Sequence, residues 1–124
     1  MNDEFEVGKM VVVVNHDDEQ SVMAALVMGA AIVATGDQAL MFFQPGAAKV
    51  LVKGELEKYQ DLKGQPDPLD LYEAILVLEG RIILCELGLP IWDIKEEDLR
   101  DGVEVMMASS FLFDAEGASM VFSY

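Results

Sequence analysis

The chain has 124 residues, 52% of them hydrophobic, and a formal net charge of −15 from 23 acidic and 8 basic side chains. That length predicts one domain, since a single core typically takes about 100–200 residues, and it suffices to bury a core without disulfides or metals. The hydrophobic content excludes a disordered chain. The charge argues against nucleic acid and anionic membrane as partners, because both are bound through Lys and Arg that neutralise phosphates.

The longest charge-free stretch, Ser21 to Gly36, is rich in Ala and Gly and falls short of the ~20 strongly apolar residues of a membrane span. Met1-Asn2-Asp3-Glu4 is acidic where a signal peptide would be basic. A soluble, cytoplasmic protein is expected. Cys85 is the only cysteine, so no intramolecular disulfide can form, which suits a reducing compartment. A lone cysteine also excludes zinc-ribbon, C-x-x-C and iron–sulfur patterns. The negative field keeps an apolar domain soluble and would steer in a basic protein partner.

Met10 to Val14 is a continuous apolar run, the pattern of a strand buried on both faces of a parallel sheet. Asp17, with Gln20 three residues on, predicts a capping box and a helix from Asp18 to about Ala34. Val22, Leu26, Gly29, Ala30 and Val33 share one face, and Gly36 supplies the stop. Ala39 to Phe43 reads as a second buried strand, ended by Gln44-Pro45-Gly46 and a short helical turn through Ala47–Val52. Lys53 to Pro68 is charged and weakly periodic, an exposed excursion with room for one short helix; such excursions are often lids or subunit contacts. Asp67 caps the next helix, with Pro68 at its first position, where a missing N–H costs nothing. Leu71, Tyr72, Ile75, Leu76 and Leu78 form its predicted buried face, and Gly80 ends it.

Arg81 to Cys85 is the third predicted strand. Asp93 and Glu96 suggest a capping box for a short helix ending at Arg100, with Gly102 as its stop. Val103 to Met107 is the fourth strand, Ser109 or Ser110 through Glu116 a helix stopped by Gly117, and Ser119 to Tyr124 the fifth strand. Strand and helix alternating five times predict a single α/β domain over 1–124, a mostly parallel five-stranded sheet with helices on both faces. The flavodoxin-like order 2-1-3-4-5 is the expected topology.

Ligands of open α/β sheets collect at the carboxyl ends of the strands. Those ends carry Asn15, His16, Gln44, Gly46, Cys85, Glu86 and Ser109. With strands one and three adjacent, His16 would approach Cys85 and accept its proton or hydrogen-bond a sulfur species. Asn15, Gln44, Gly46, Glu86 and Ser109 are the candidates for holding a substrate. Cys85 itself has two readings, a small buried hydrophobe or a thiolate favoured by backbone N–H groups at the strand end. No glycine-rich phosphate loop follows any strand, and the acidic turn Asn15-His16-Asp17-Asp18 would repel a phosphate, so no FMN or other cofactor is expected. His16, Asp17, Asp18 and Cys85 lack the spacing of a designed metal site.

Several segments, in order along the chain, resemble the DsrE/DsrF-like family of small sulfur-relay proteins. They are Ala24-Ala25-Leu26 through Ala34-Thr35-Gly36, Met41-Phe42-Phe43-Gln44-Pro45-Gly46, Ile83-Leu84-Cys85-Glu86, and Glu97-Asp98-Leu99 with Gly102-Val103-Glu104-Val105. The resemblance implies a compact α/β fold, assembly into homo- or hetero-oligomers such as trimers and hexamers, and a sulfurtransferase-like role. Cys85 would then carry a persulfide taken from a donor protein and passed to an acceptor. The competing expectation is a non-catalytic, oligomeric partner-binding module in which Cys85 is structural. A cysteine hydrolase lacks an evident oxyanion loop and acid partner. Most of the eight Met residues read as core filler, but Phe111, Phe113, Phe122 and several Met, with Met106-Met107 as interface candidates, exceed what so small a core needs, which favours self-assembly.

Overall fold

A computed structural model describes residues 7–124; the acidic start at Met1–Glu4, read above against a signal peptide, lies outside them. The elements are β1 (Lys9–Val14), α1 (Glu19–Ala34), β2 (Gln38–Phe43), α2 (Pro68–Val77), β3 (Arg81–Cys85), α3 (Gly88–Ile91), β4 (Val103–Met106), α4 (Ala108–Ala115) and β5 (Met120–Ser123). Short 3-10 turns occupy Pro45–Leu51, Leu56–Tyr59 and Glu96–Asp98. Among the described residues no helix is long and apolar enough to cross a membrane.

All strand pairs are parallel, in the order β4-β3-β2-β1-β5. The five-stranded parallel sheet is as predicted, but the flavodoxin-like order is not. The chain steps from β1 to β2, β3 and β4 in one direction and only then returns beyond β1 to lay down β5. Right-handed crossovers explain the layers that result. Three steps in one direction put α1, α2 and α3 on one face, and the single return step puts α4 on the other.

Alternation along the strands sorts the core accordingly. Val12, Val14, Met41, Phe43, Ile82 and Leu84 pack with Val22, Leu26, Val33 and Ile75 of α1 and α2. Val11, Leu40, Phe42, Ile83 and Cys85 face Phe111 of α4.

Local chemistry sets the boundaries. The α1 cap is Asp18 rather than Asp17, its carboxylate accepting from the Ser21 N–H at 3.0 Å. α2 begins as read, with the Asp67 carboxylate accepting from the Leu69 N–H at 2.8 Å and Pro68 in the first turn. It ends earlier than expected, because Glu79 takes the left-handed conformation (φ 68°) and leaves Leu78 exposed. The predicted Asp93/Glu96 box is replaced by the Lys95 N–H donating to Asp98 Oδ2 at 2.9 Å. The excursion after Lys53 is anchored, with Leu56 fully buried and Val52 bridged antiparallel to Leu99.

Gly29 lets α1 lie close on its neighbours. A Cβ there would overlap Met41 Sδ and come within 2.9 Å of Ile75 Cδ1. Gly29→Ala gains about 1 kcal/mol of helix propensity, but overpacking at so tight a contact costs about 1–3 kcal/mol. The expected outcome is a lower urea midpoint at unchanged m-value; a higher midpoint would show that α1 can retreat from β2 without loss.

Candidate functional site

The connection leaving β3 runs to the α1–α2 face and the one leaving β4 to the opposite face. The topological switch point, where open sheets gather ligands, is therefore the carboxyl edge between β3 and β4. Cys85 and Met106 are the register partners at that edge, and the Glu86 N–H donates to the Met106 carbonyl at 3.0 Å. The lone thiol thus stands at the position the topology singles out.

It is not open to solvent. Cys85 is 5% exposed and packs with Phe42, Ile83 and Phe111, so of its two readings the packing agrees with the buried side chain and the sulfur is covered. The cover is α4, whose Phe111 ring stacks on Phe42 with centroids 4.1 Å apart and planes 9° apart. Even so, Cys85 touches solvent more than Ile82, Ile83 and Leu84 before it, which are at 0%, because the strand ends there and exposed Glu86 and Leu87 follow.

α4 is held mainly at its far end. Arg81 grips Glu104 through Nε (2.9 Å) and Nη2 (2.7 Å) and reaches Asp114 on α4 through Nη1 (2.8 Å). Lys9 Nζ donates to the carbonyls of Asp114 (2.8 Å) and Glu116 (3.0 Å), satisfying helix-terminal acceptors with a cation. Near Cys85, Met107 offers α4 no side-chain cap.

The other predicted site residues divide into two groups. Asn15 and Gly46 are spent on each other, since Asn15 Oδ1 accepts from the Gly46 N–H at 3.1 Å. A Cβ on Gly46 would collide with the Asn15 carbonyl oxygen, so this glycine serves a close crossing of the β1 and β2 ends. His16 is exposed in the turn after β1. Because β2 lies between β1 and β3, the strand that leads to His16 and the one that ends in Cys85 are about 10 Å apart. Their expected approach, which required adjacent strands, is not supported. Gln44 is half-buried beside Pro45; Glu86, flanking Cys85, and Ser109, on the outer side of α4, are exposed.

Sequence reasoning missed the residues that cover the thiol. Phe111, expected as excess apolar surface for self-assembly, is instead buried at 4% exposure, and only the strand register shows that Phe42 and Cys85 share a face. Trp92 was also missed; its Nε1–H donates to the Pro45 carbonyl at 2.7 Å while Lys49 Nζ sits 4.0 Å from the centre of its ring. Among the described residues no cluster of His, Cys, Asp and Glu could hold a metal.

The fold is shared with solved proteins. The YchN protein of E. coli superposes with a TM-score of 0.75 at 16% identity, over 96% of this chain and 100% of its own. The protein of unknown function MTH1491 from Methanobacterium thermoautotrophicum superposes with a TM-score of 0.73 at 15% identity, over 94% of this chain and 99% of its own. No protein-family model matches the chain, and no curated protein matches it in sequence.

The Arg81 clamp has a pH signature. Hydrogen bonding from Arg81 holds the Glu104 carboxyl below its ordinary value of 4.5, against partial desolvation. A depressed folded-state pKa stabilises above the unfolded value and is lost as pH falls through the folded one. The stability difference between the native chain and Glu104→Gln should therefore be largest above about pH 4.5 and shrink steadily below it. Urea titrations across that range test this, and a constant difference would mean the clamp does not discriminate protonation states.

Proposed function

We propose that this chain is a sulfur carrier of the DsrE/DsrF-like kind, in which Cys85 accepts one sulfur atom as a persulfide and passes it on. The observation that carries the reading is the lone thiol at the switch point between β3 and β4, on segments that resemble that family. The fold shared with two solved proteins over nearly the whole chain is compatible with it.

The chemistry needs no second protein cysteine and no external oxidant. The Cys85 thiolate attacks the outer sulfur of a donor persulfide, R–S–SH. A new S–S bond forms to Cys85 as the donor's S–S bond breaks, and the donor departs as R–S⁻. Delivery repeats the step, with an acceptor thiolate attacking the outer sulfur and Cys85 leaving. Partners are thus a sulfur-donor or acceptor protein, and no cofactor takes part. Burial under Phe111 demands that the edge open before each transfer and shields the bound sulfur between them.

The reading extends to self-assembly into a trimer or hexamer. Leu112 (69% exposed) and Phe113 (78%) stand outward on α4, and Val121 does so on the edge strand β5. Exposed apolar groups in this number favour burial against another copy.

The covered thiol favours one competing reading, a partner-binding module in which Cys85 is a packing residue. Incubation with inorganic polysulfide separates the two. The carrier reading predicts an adduct of about 32 Da, one sulfur atom, located on Cys85, removed by dithiothreitol and absent from Cys85→Ser. If the folded chain takes no sulfur while the urea-unfolded chain does, the packing role stands and the carrier role fails.

A further inference from the structure

A concavity lies away from Cys85, where α2 faces the segments bridged at Val52 and Leu99. Its volume is about 470 Å³, within the range of about 300–1,000 Å³ typical of small-molecule sites. Leu69, Tyr72 and Leu76 of α2 make one wall apolar, and Lys53 and Arg100 stand among the remaining lining groups. Glu57, Glu73 and Asp101 line it too, so the two cations stand among three carboxylates and the cavity offers charges of both signs.

Arg100 and Arg81 are equipped differently. Arg81 has all three guanidinium nitrogens engaged by Glu104 and Asp114, as a structural arginine should. Arg100 makes one side-chain bond, from Nη1 to Glu57 Oε1 at 3.2 Å, and its Nε and Nη2 have no protein acceptor among the described residues. Its side chain is only 15% exposed, and its guanidinium lies 5.1 Å from the centre of the Tyr72 ring. A guanidinium fixed by an aromatic face and one carboxylate, with the rest of its fork unspent, is pre-organised to receive a second carboxylate. Lys53 Nζ donates to the Glu97 carbonyl at 3.0 Å, which leaves further ammonium protons available. The Tyr72 hydroxyl is already committed to the Asp101 carbonyl at 2.8 Å, so the ring offers apolar contact.

A simple anion would meet the repulsion of the whole chain. A zwitterion would not, and Glu73 at the rim supplies the opposite charge. We propose that this cavity binds an α-amino acid with an aliphatic side chain. Its carboxylate is held by Arg100 and Lys53, its ammonium by Glu73, and its side chain lies along Leu69, Tyr72 and Leu76. The site is independent of the sulfur chemistry at Cys85.

Titration with L-leucine, followed through the amide resonances of Gly54, Tyr72 and Leu76, tests the proposal. Saturable shifts are expected with a dissociation constant near the millimolar range. Leucinamide, which lacks the carboxylate, and 4-methylpentanoate, which lacks the ammonium, should each bind about tenfold or more weakly. Arg100→Gln should weaken leucine by a similar factor. Glu73→Gln, which leaves the Arg100–Glu57 pair in place, should weaken leucine without weakening 4-methylpentanoate. Absence of saturable shifts with leucine, or an equal response to all three probes, would overturn the assignment.

Discussion

The stack of Phe111 on Phe42 is the contact on which the second face of this sheet depends. A parallel sheet must be covered on both sides, and the two covers here are unequal. α1 alone buries seven residues against one face, whereas Phe111 is the only buried side chain of α4. Aromatic pairs add about 0.5–1.5 kcal/mol beyond the area they bury. The Arg81 and Lys9 contacts, being partly exposed, add less than their geometry suggests. The face carrying Cys85 is therefore the one closed by the lighter cover, anchored at the end of α4 remote from the thiol.

Topology places this asymmetry at one edge of the sheet. Four strands laid down in one direction and a fifth on return leave one place where successive connections part to opposite faces, and that place is the β3–β4 edge. Cys85 stands there with Met106 beside it and Phe111 above it. A persulfide carrier gains from such a position, because the outer sulfur is protected from stray thiols and becomes reachable only when the edge opens. The cavity at Arg100 lies under α2, which packs on the other face, so the two sites can be tested apart.

Much of the architecture was legible along the chain because the strands carry continuous apolar runs and the helices carry local stop and start chemistry. β3 was read to the residue, and the α2 start followed from Asp67 and Pro68 alone. The cap of α1 slipped by one because Asp17 and Asp18 are chemically equivalent and only the Ser21 amide decides between them. The end of α2 was misplaced because Glu79, not a glycine, takes the left-handed turn. Strand order was not legible, since it depends on which way each crossover steps and no single residue records that. The His16–Cys85 pairing depended on that order. The cover over Cys85 was hidden for a related reason: Phe42, Cys85 and Phe111 lie far apart in sequence and meet only through register. Arg100 was read as a helix end, and its role emerges only beside Tyr72.

The central claim is that Cys85 is shielded by a cover that opens locally, without unfolding of the sheet. Alkylation of the native thiol, followed against urea concentration well below the unfolding transition, measures this directly. Local opening exposes little surface, so the labelling rate should be nearly independent of urea there and should rise about tenfold or more in Phe111→Ala. A rate that climbs with urea along the same slope as global unfolding would mean that the thiol is reached only when the domain comes apart, and the account of a gated sulfur site would be wrong.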